Sequence, residues 1–204
     1  MPHSRSGGQI VSTRISRWRR RSRLGVAILW ALMAVATPRP IWAALTASVA
    51  DAALPAAPYS HANQITSGSL TLSARDTGRQ ECILLLCSTT NDGWNVTVRA
   101  SSFAYSGPNN GTAIPAANLA ITNARPPTWV SGQAISSDGG PRTTHVTGTL
   151  DVARKTLQAD APNAGTEYGI GEYRQVVDVS LTVPGQSRAG TYTTTLTVTI
   201  SAGP

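Results

Sequence analysis

Residues 94–100 read Trp94-Asn95-Val96-Thr97-Val98-Arg99-Ala100. Apolar and polar side chains alternate strictly, with Trp94, Val96, Val98 and Ala100 on one side and Asn95, Thr97 and Arg99 on the other. Successive side chains leave a strand in opposite directions, so this period of two marks a strand with one buried face. Asn91-Asp92-Gly93 stands just before it, and these residue types tolerate the positive φ of a tight turn. The alternation recurs on both sides. Upstream, Ser69 to Ala74 puts Leu70 and Leu72 on one face, and Asp76-Thr77-Gly78 follows as a turn. Downstream, Tyr173 to Val183 carries Val177, Val179, Leu181 and Val183 on one face. Thr191 to Ile200 does the same with Tyr192, Thr194, Leu196, Val198 and Ile200. With the loop 184–190 between them, these two runs predict a long antiparallel hairpin.

The remaining signals are shorter. Leu119 and Ile121 suit a short strand, and Thr144 to Val152 suits another. Residues 106–118, 123–143 and 159–171 are rich in Gly, Pro and Asn and read as loops. Residues 45–65 are rich in Ala, Pro and Ser with little periodicity, which predicts a linker and a domain over 66–204. After position 60 there is one Lys, few Glu, and much Thr, Val, Ser and Gly. About six to nine strands separated by frequent turns predict an all-β fold. The expected architecture is an immunoglobulin-like sandwich of two antiparallel sheets, with an open barrel as its competitor.

The first 23 residues hold seven arginines and no acidic residue. The apolar run Leu24 to Ala36 follows, then Thr37-Pro38-Arg39-Pro40 and the small-residue stretch Ile41-Trp42-Ala43-Ala44. Basic, apolar, then small is the order of a secretory signal, so residues 1–44 read as a signal peptide cleaved near Ala43 or Ala44, with Ala36 as a second site. The apolar run is shorter than the roughly 20 residues of a membrane-spanning helix. A retained N-terminal anchor is the alternative. No sorting motif or hydrophobic tail follows the last strand residues, so the expected attachment is non-covalent.

The leader also explains the charge. The chain carries +7, yet eight of its seventeen basic residues precede position 41 and all ten acidic residues follow position 43. Past the leader stand nine basic and ten acidic residues, a net −1. Nucleic-acid binding needs a basic patch on the folded domain, and the composition offers no such excess. About 160 residues remain after cleavage, enough for one domain with its own core.

Cys82 and Cys87 are the two cysteines. In an exported chain an even pair reads by default as a disulfide, closing a small loop of modest entropic value. Two buried thiols beside Ile83 to Leu86 are the alternative. No His stands close enough in sequence to complete a metal site with them. Asn91-Asp92-Gly93 and Asp138-Gly139-Gly140 have too few carboxylates for calcium and suit turns. The sequons at Asn95 and Asn110 matter only in a eukaryotic secretory pathway.

An enzyme needs titratable groups that converge. His61 falls in the linker. His145 starts a candidate strand, and Asp151, six residues on, would lie about 20 Å away along it. The carboxylates are scattered singly, unlike the pair of a glycosidase. No catalytic residue, cofactor or metal is therefore expected. The candidate contacts are aromatic. Trp94 reads as a core residue of a sandwich, or else as a ring that stacks on sugar. Trp129, in a Pro-rich loop, suits packing and contact equally, and Tyr105 and Tyr168 are loop residues that could join such a surface.

Several of these segments together resemble the W-x-L domain family of bacterial surface proteins. They are Gly93-Trp94-Asn95-Val96-Thr97-Val98, Ile114-Pro115-Ala116-Ala117-Asn118-Leu119, Leu181-Thr182-Val183-Pro184, Ala189-Gly190-Thr191-Tyr192 and Leu196-Thr197-Val198-Thr199-Ile200, closing on Pro204. The family pattern is a first Trp-x-Leu and a distal Tyr-x-x-x-Leu-Thr-Trp-x-Leu-x-x-x-Pro. Here the first motif is Trp94-Asn95-Val96. The distal one keeps Tyr192, Leu196, Thr197 and Pro204, with Val198 and Ile200 in place of Trp and Leu. The resemblance covers residues 66–204 and implies a non-catalytic domain held non-covalently on the bacterial cell wall, on peptidoglycan. A subunit of a surface assembly that pairs through edge strands is the other expectation, carried by the uncharged run Thr191 to Pro204. A hydrolase of unrecognised type is a third.

Overall fold

The computed structural model describes residues 44–83, 86–144 and 146–203, with backbone alone for 81–83 and 86–87. His145 and all of the expected signal peptide except Ala44 lie outside the described residues.

All regular structure among the described residues is β, apart from one 3-10 turn at Ala116–Asn118. The strands are β1 (Leu45–Val49), β2 (Gln64–Asp76), β3 (Arg79–Ile83), β4 (Leu86–Thr90), β5 (Trp94–Ala100), β6 (Ala104–Ser106) and β7 (Leu119–Ala124). They continue as β8 (Thr128–Gly132), β9 (Arg142–Thr143), β10 (Gly148–Thr149), β11 (Arg154–Ala159), β12 (Gly171–Val183), β13 (Thr191–Thr193) and β14 (Leu196–Ala202). One sheet runs β1-β2-β12-β7-β10, with β8 also paired to β12. A second runs β14-β5-β11-β9. Two ribbons, β13-β6 and β3-β4, complete the set, and every strand pair is antiparallel.

The expected faces hold. Trp94, Val96, Val98 and Ala100 are all buried on β5, while Arg99 is exposed. On β12, Tyr173, Gln175, Val177, Val179 and Leu181 are buried in strict alternation. Both core clusters draw residues from both sheets. The larger joins Leu70, Leu72, Val177 and Val179 of the first sheet to Val98 and Ala100 of the second. The smaller joins Ala74 and Tyr173 to Trp94, Val96 and Leu157.

A polar strut crosses this core. The register of β11 against β5 skips at Thr156, a bulge that leaves both Thr156 and Leu157 buried. The Thr156 carbonyl then accepts from Gln175 Nε2 of β12 at 2.9 Å, and the same amide donates to the Arg125 carbonyl at 3.1 Å. Gln175 is 1% exposed, and these bonds satisfy its Nε2 while its Oε1 has no hydrogen-bond partner.

Three sequence expectations change. Residues 45–49 form a strand: Leu45 to Val49 pairs with Asp76 to Leu72 along the edge of β2. Leu45, Ala47 and Val49 alternate with Thr46 and Ser48, and Val49 and Leu54 are buried in the core. The segment therefore pairs into the first sheet, and its pattern is short enough to be masked by the Pro-rich residues after it. The predicted C-terminal hairpin is absent. β12 is flanked by β2 on one side and by β7 and β8 on the other, so the chain past residue 190 pairs elsewhere, β13 with β6 and β14 with β5. Alternation defines which face is buried and leaves the partner open. Among the described residues of 144–152 the only strand is the two-residue β10, with Val152 49% exposed.

Trp94 is 0% exposed and anchors the smaller cluster, so its loss leaves a cavity that the two sheets cannot close. Trp94→Ala should lower unfolding stability by about 3–5 kcal/mol, read from urea denaturation.

Candidate functional site

The four aromatic residues singled out from the sequence fall into three situations. Trp94 and Tyr168 are buried. The Trp94 indole is fully buried, its Nε1 donates to the Gly169 carbonyl at 3.0 Å, and its ring lies 6.1 Å from that of Tyr173. Gly169 has φ +77, and a Cβ there would come within 2.9 Å of the indole nitrogen, so the site demands glycine. Tyr168 is 6% exposed, with its ring against Gly139. Both side chains are enclosed by packing, Trp94 on the inward face of β5 and Tyr168 against Gly139.

The surroundings of this end are polar, and most of their groups pair within the fold, though Asn91 Oδ1 has no hydrogen-bond partner. Asn91 Nδ2 donates to Asp76 Oδ2 at 3.0 Å and to the Tyr168 carbonyl, while the Asn91 amide donates to Glu167 Oε2 at 3.0 Å. Asp76 Oδ1 accepts from the Gly78 amide at 2.7 Å, the bond of an Asx turn. Burial, with the nearby Asp76 charge adding to it, pushes the Tyr173 hydroxyl up to about 12. That hydroxyl donates to the Gln133 carbonyl at 2.6 Å and stays protonated at physiological pH. Among the described residues no three His, Cys, Asp or Glu side chains gather where they could hold a metal.

Tyr105 is half-buried. Its hydroxyl donates to the Ala189 carbonyl at 2.9 Å and accepts from the Asn109 amide at 3.1 Å. Its ring meets that of Tyr192 at 5.3 Å. It therefore acts as a prop behind Tyr192.

Trp129 differs from all of these. It sits on β8, a strand whose five residues are all exposed and which pairs with β12 through Gly132↔Gly171 and Trp129↔Tyr173. The indole is 54% exposed, and its Nε1 is satisfied by the Gly132 carbonyl at 3.2 Å, which leaves the ring free to meet a ligand. Val130 and Ile135 are exposed beside it in sequence. The loop expected here is a strand, held because Tyr173 and its neighbours offer it an open edge.

Sequence reasoning missed a second feature. A cavity of about 410 Å³ lies between the Leu54–Ser60 segment and the loop 184–190. Leu54, Ile114, Leu181 and Val183 give it apolar surface, and Gln64, Arg188 and Tyr192 line it too. Tyr192 was legible as part of the distal motif, whereas Arg188 carried only a loop signal. The Asp178 carboxylate, on the outer face of β12, is drawn down to about 2 by its two bonds to the Arg125 guanidinium and by the Ser69 hydroxyl, and serves to join β2 and β7 across that strand.

The family comparison agrees with the fold's own signals. A family model described as WxL domain, surface cell wall-binding, matches residues 88–204. No curated protein and no solved structure matches the chain. The matched region begins in β4 and contains the buried Trp94 strand, the Trp129 strand and the whole C-terminal course of the chain. The chain belongs to the WxL family: it is a non-catalytic, cell wall-binding domain of the cell surface.

Proposed function

We propose that the wall polymer bound is peptidoglycan and that the β8 surface bearing Trp129 makes contact with it. The observation that carries this is the exposed indole of Trp129 on a wholly exposed strand. A flat aromatic face gains by covering the C–H face of a sugar ring, and its N–H is already satisfied, so no polar cost opposes the contact. Tyr105 acts only behind Tyr192, and Trp94 and Tyr168 act through the core. The mechanism is binding, with no chemical step.

The finer architecture follows the same reading. The two main sheets form a sandwich, with cores fed from both and the Gln175–Thr156 strut between them. The domain spans 45–204, since β1 begins at Leu45, and removal of a signal peptide after Ala44 leaves the sheet whole. Cys82 and Cys87 form a disulfide. They are register partners on β3 and β4, and directly opposed residues bring their Cα atoms into the range a disulfide spans, about 4.4–6.8 Å.

A second reading has an observation of its own. β14, which runs close to β1 of the other main sheet, is an edge of the four-stranded sheet and carries no charge. It makes the domain a component of a surface assembly that pairs through that edge.

Three measurements test these statements. The full chain should co-sediment with purified bacterial cell walls, and Trp129→Ala should weaken that binding by about tenfold, the order of loss for a central aromatic contact. A parent that stays in the supernatant would sink the peptidoglycan reading. Intact mass under non-reducing conditions should be two hydrogens below that of the reduced chain; equal masses rule out the disulfide. Sedimentation velocity over a hundredfold concentration range should show a single species if wall binding is the role, and a concentration-dependent oligomer if β14 is an assembly edge.

A further inference from the structure

The cavity beside Arg188 is built from segments held in place on every side. On one wall, Thr66 Oγ1 donates to the Pro55 carbonyl at 2.7 Å, pinning the Pro-rich stretch. The loop 184–190 is tied to it by the Gln186 amide, which donates to the Ser60 carbonyl at 2.7 Å, and by the Gly185 amide, which donates to Asn63 Oδ1 at 2.9 Å. From behind, Tyr105 and Asn109 donate to the Ala189 carbonyl, and the Tyr192 hydroxyl donates to the Arg188 carbonyl at 3.0 Å. A pocket with such fixed walls is organised before any ligand arrives, which lowers the ordering cost of binding.

Its chemistry is narrow. The volume, about 410 Å³, falls in the range of small-molecule sites. The floor is apolar, and Tyr192 supplies an aromatic side. Arg188 is the one charged residue in the lining, is exposed, and has no ion-pair partner among the described residues. A guanidinium fork matches one carboxylate through two parallel hydrogen bonds. A polymer bearing a phosphate on every unit would call for a row of cations, and the residues past the leader carry a net charge of −1.

We propose that this cavity binds one N-acetylated sugar ring of the wall glycan whose side arm ends in a free carboxylate, as on a muramyl residue from which the stem peptide has been removed. The ring's C–H face lies on the apolar floor and Tyr192, and the carboxylate pairs with Arg188. The inference rests on the peptidoglycan reading but concerns a different place. Trp129 is opposite Tyr173 near the start of β12, whereas the cavity takes in Val183 at its end. Ten residues of strand separate them, about 33 Å. A long polymer could engage both, and the second contact then gains from the effective concentration set by the first.

The test uses the full chain with three probes: N-acetylmuramic acid, N-acetylglucosamine, which lacks the lactyl carboxylate, and a poly(glycerol phosphate). Binding is followed by NMR shifts of the Tyr192 and Arg188 signals. N-acetylmuramic acid should bind the parent about tenfold more tightly than N-acetylglucosamine, the yield expected of one charge-assisted pair. Arg188→Gln should erase that preference without changing the weaker N-acetylglucosamine affinity, and Arg188→Lys should keep part of it. Arg188 is exposed, so neither variant disturbs the core. Equal binding of N-acetylmuramic acid by the parent and Arg188→Gln overturns the proposal, as does tighter binding of the poly(glycerol phosphate). A parent that sediments with walls yet ignores N-acetylmuramic acid overturns this inference alone. A parent that does neither overturns the peptidoglycan reading with it.

Discussion

The β2–β12 ladder is the constraint on which the rest of the domain depends. The two strands pair without a break from Asp76↔Gly171 to Gln64↔Val183. An uninterrupted ladder of this length satisfies the backbone polar groups along one whole edge of β12, and its regular pleat holds the inward face in register. β7 and β8 divide the opposite edge of β12 between them, and β1 extends the sheet beyond β2. Because the ladder is long and continuous, its two ends stand apart. One end carries the exposed Trp129 and the other closes the cavity beside Arg188.

The second sheet is fitted to this frame through a few specific contacts. Trp94 fills the space next to Tyr173, and the Gly169 carbonyl takes its indole proton. The bulge at Thr156 brings a carbonyl to the Gln175 amide. The position where the family pattern has its second Trp is held by Val198, half-buried against both core clusters and opposite Val98. A valine there serves packing. In this chain both motif positions thus face the core.

Most of the strand faces were visible in the sequence because burial on one side imposes a period of two, as in Trp94 to Ala100 and Tyr173 to Val183. Strand β1 was harder to see. Its five residues alternate correctly, but the Pro-rich segment that follows contributes no period, and Leu54 enters the core from irregular chain. Trp129 was visible as an aromatic out of place in a loop, although its strand came from the open edge of β12. The Arg188 cavity left almost no trace, since its walls come from segments about 130 residues apart in the chain, joined by backbone hydrogen bonds that any residue types could supply.

Sequence alone therefore determined the local properties: β-structure, the inward faces, the concentration of basic residues at the N-terminus, and the motif that places the chain in its family. These follow from side-chain chemistry at short range, where period and composition speak directly. Tertiary structure decided which strand lies beside which, that residues 45–49 join the sheet, that Trp94 and Tyr168 are sealed inside while Trp129 stays out, and that a cavity forms around Arg188. Strand pairing uses backbone groups that every residue carries, so the choice of partner is written in no single segment and is settled only when all the faces are buried together.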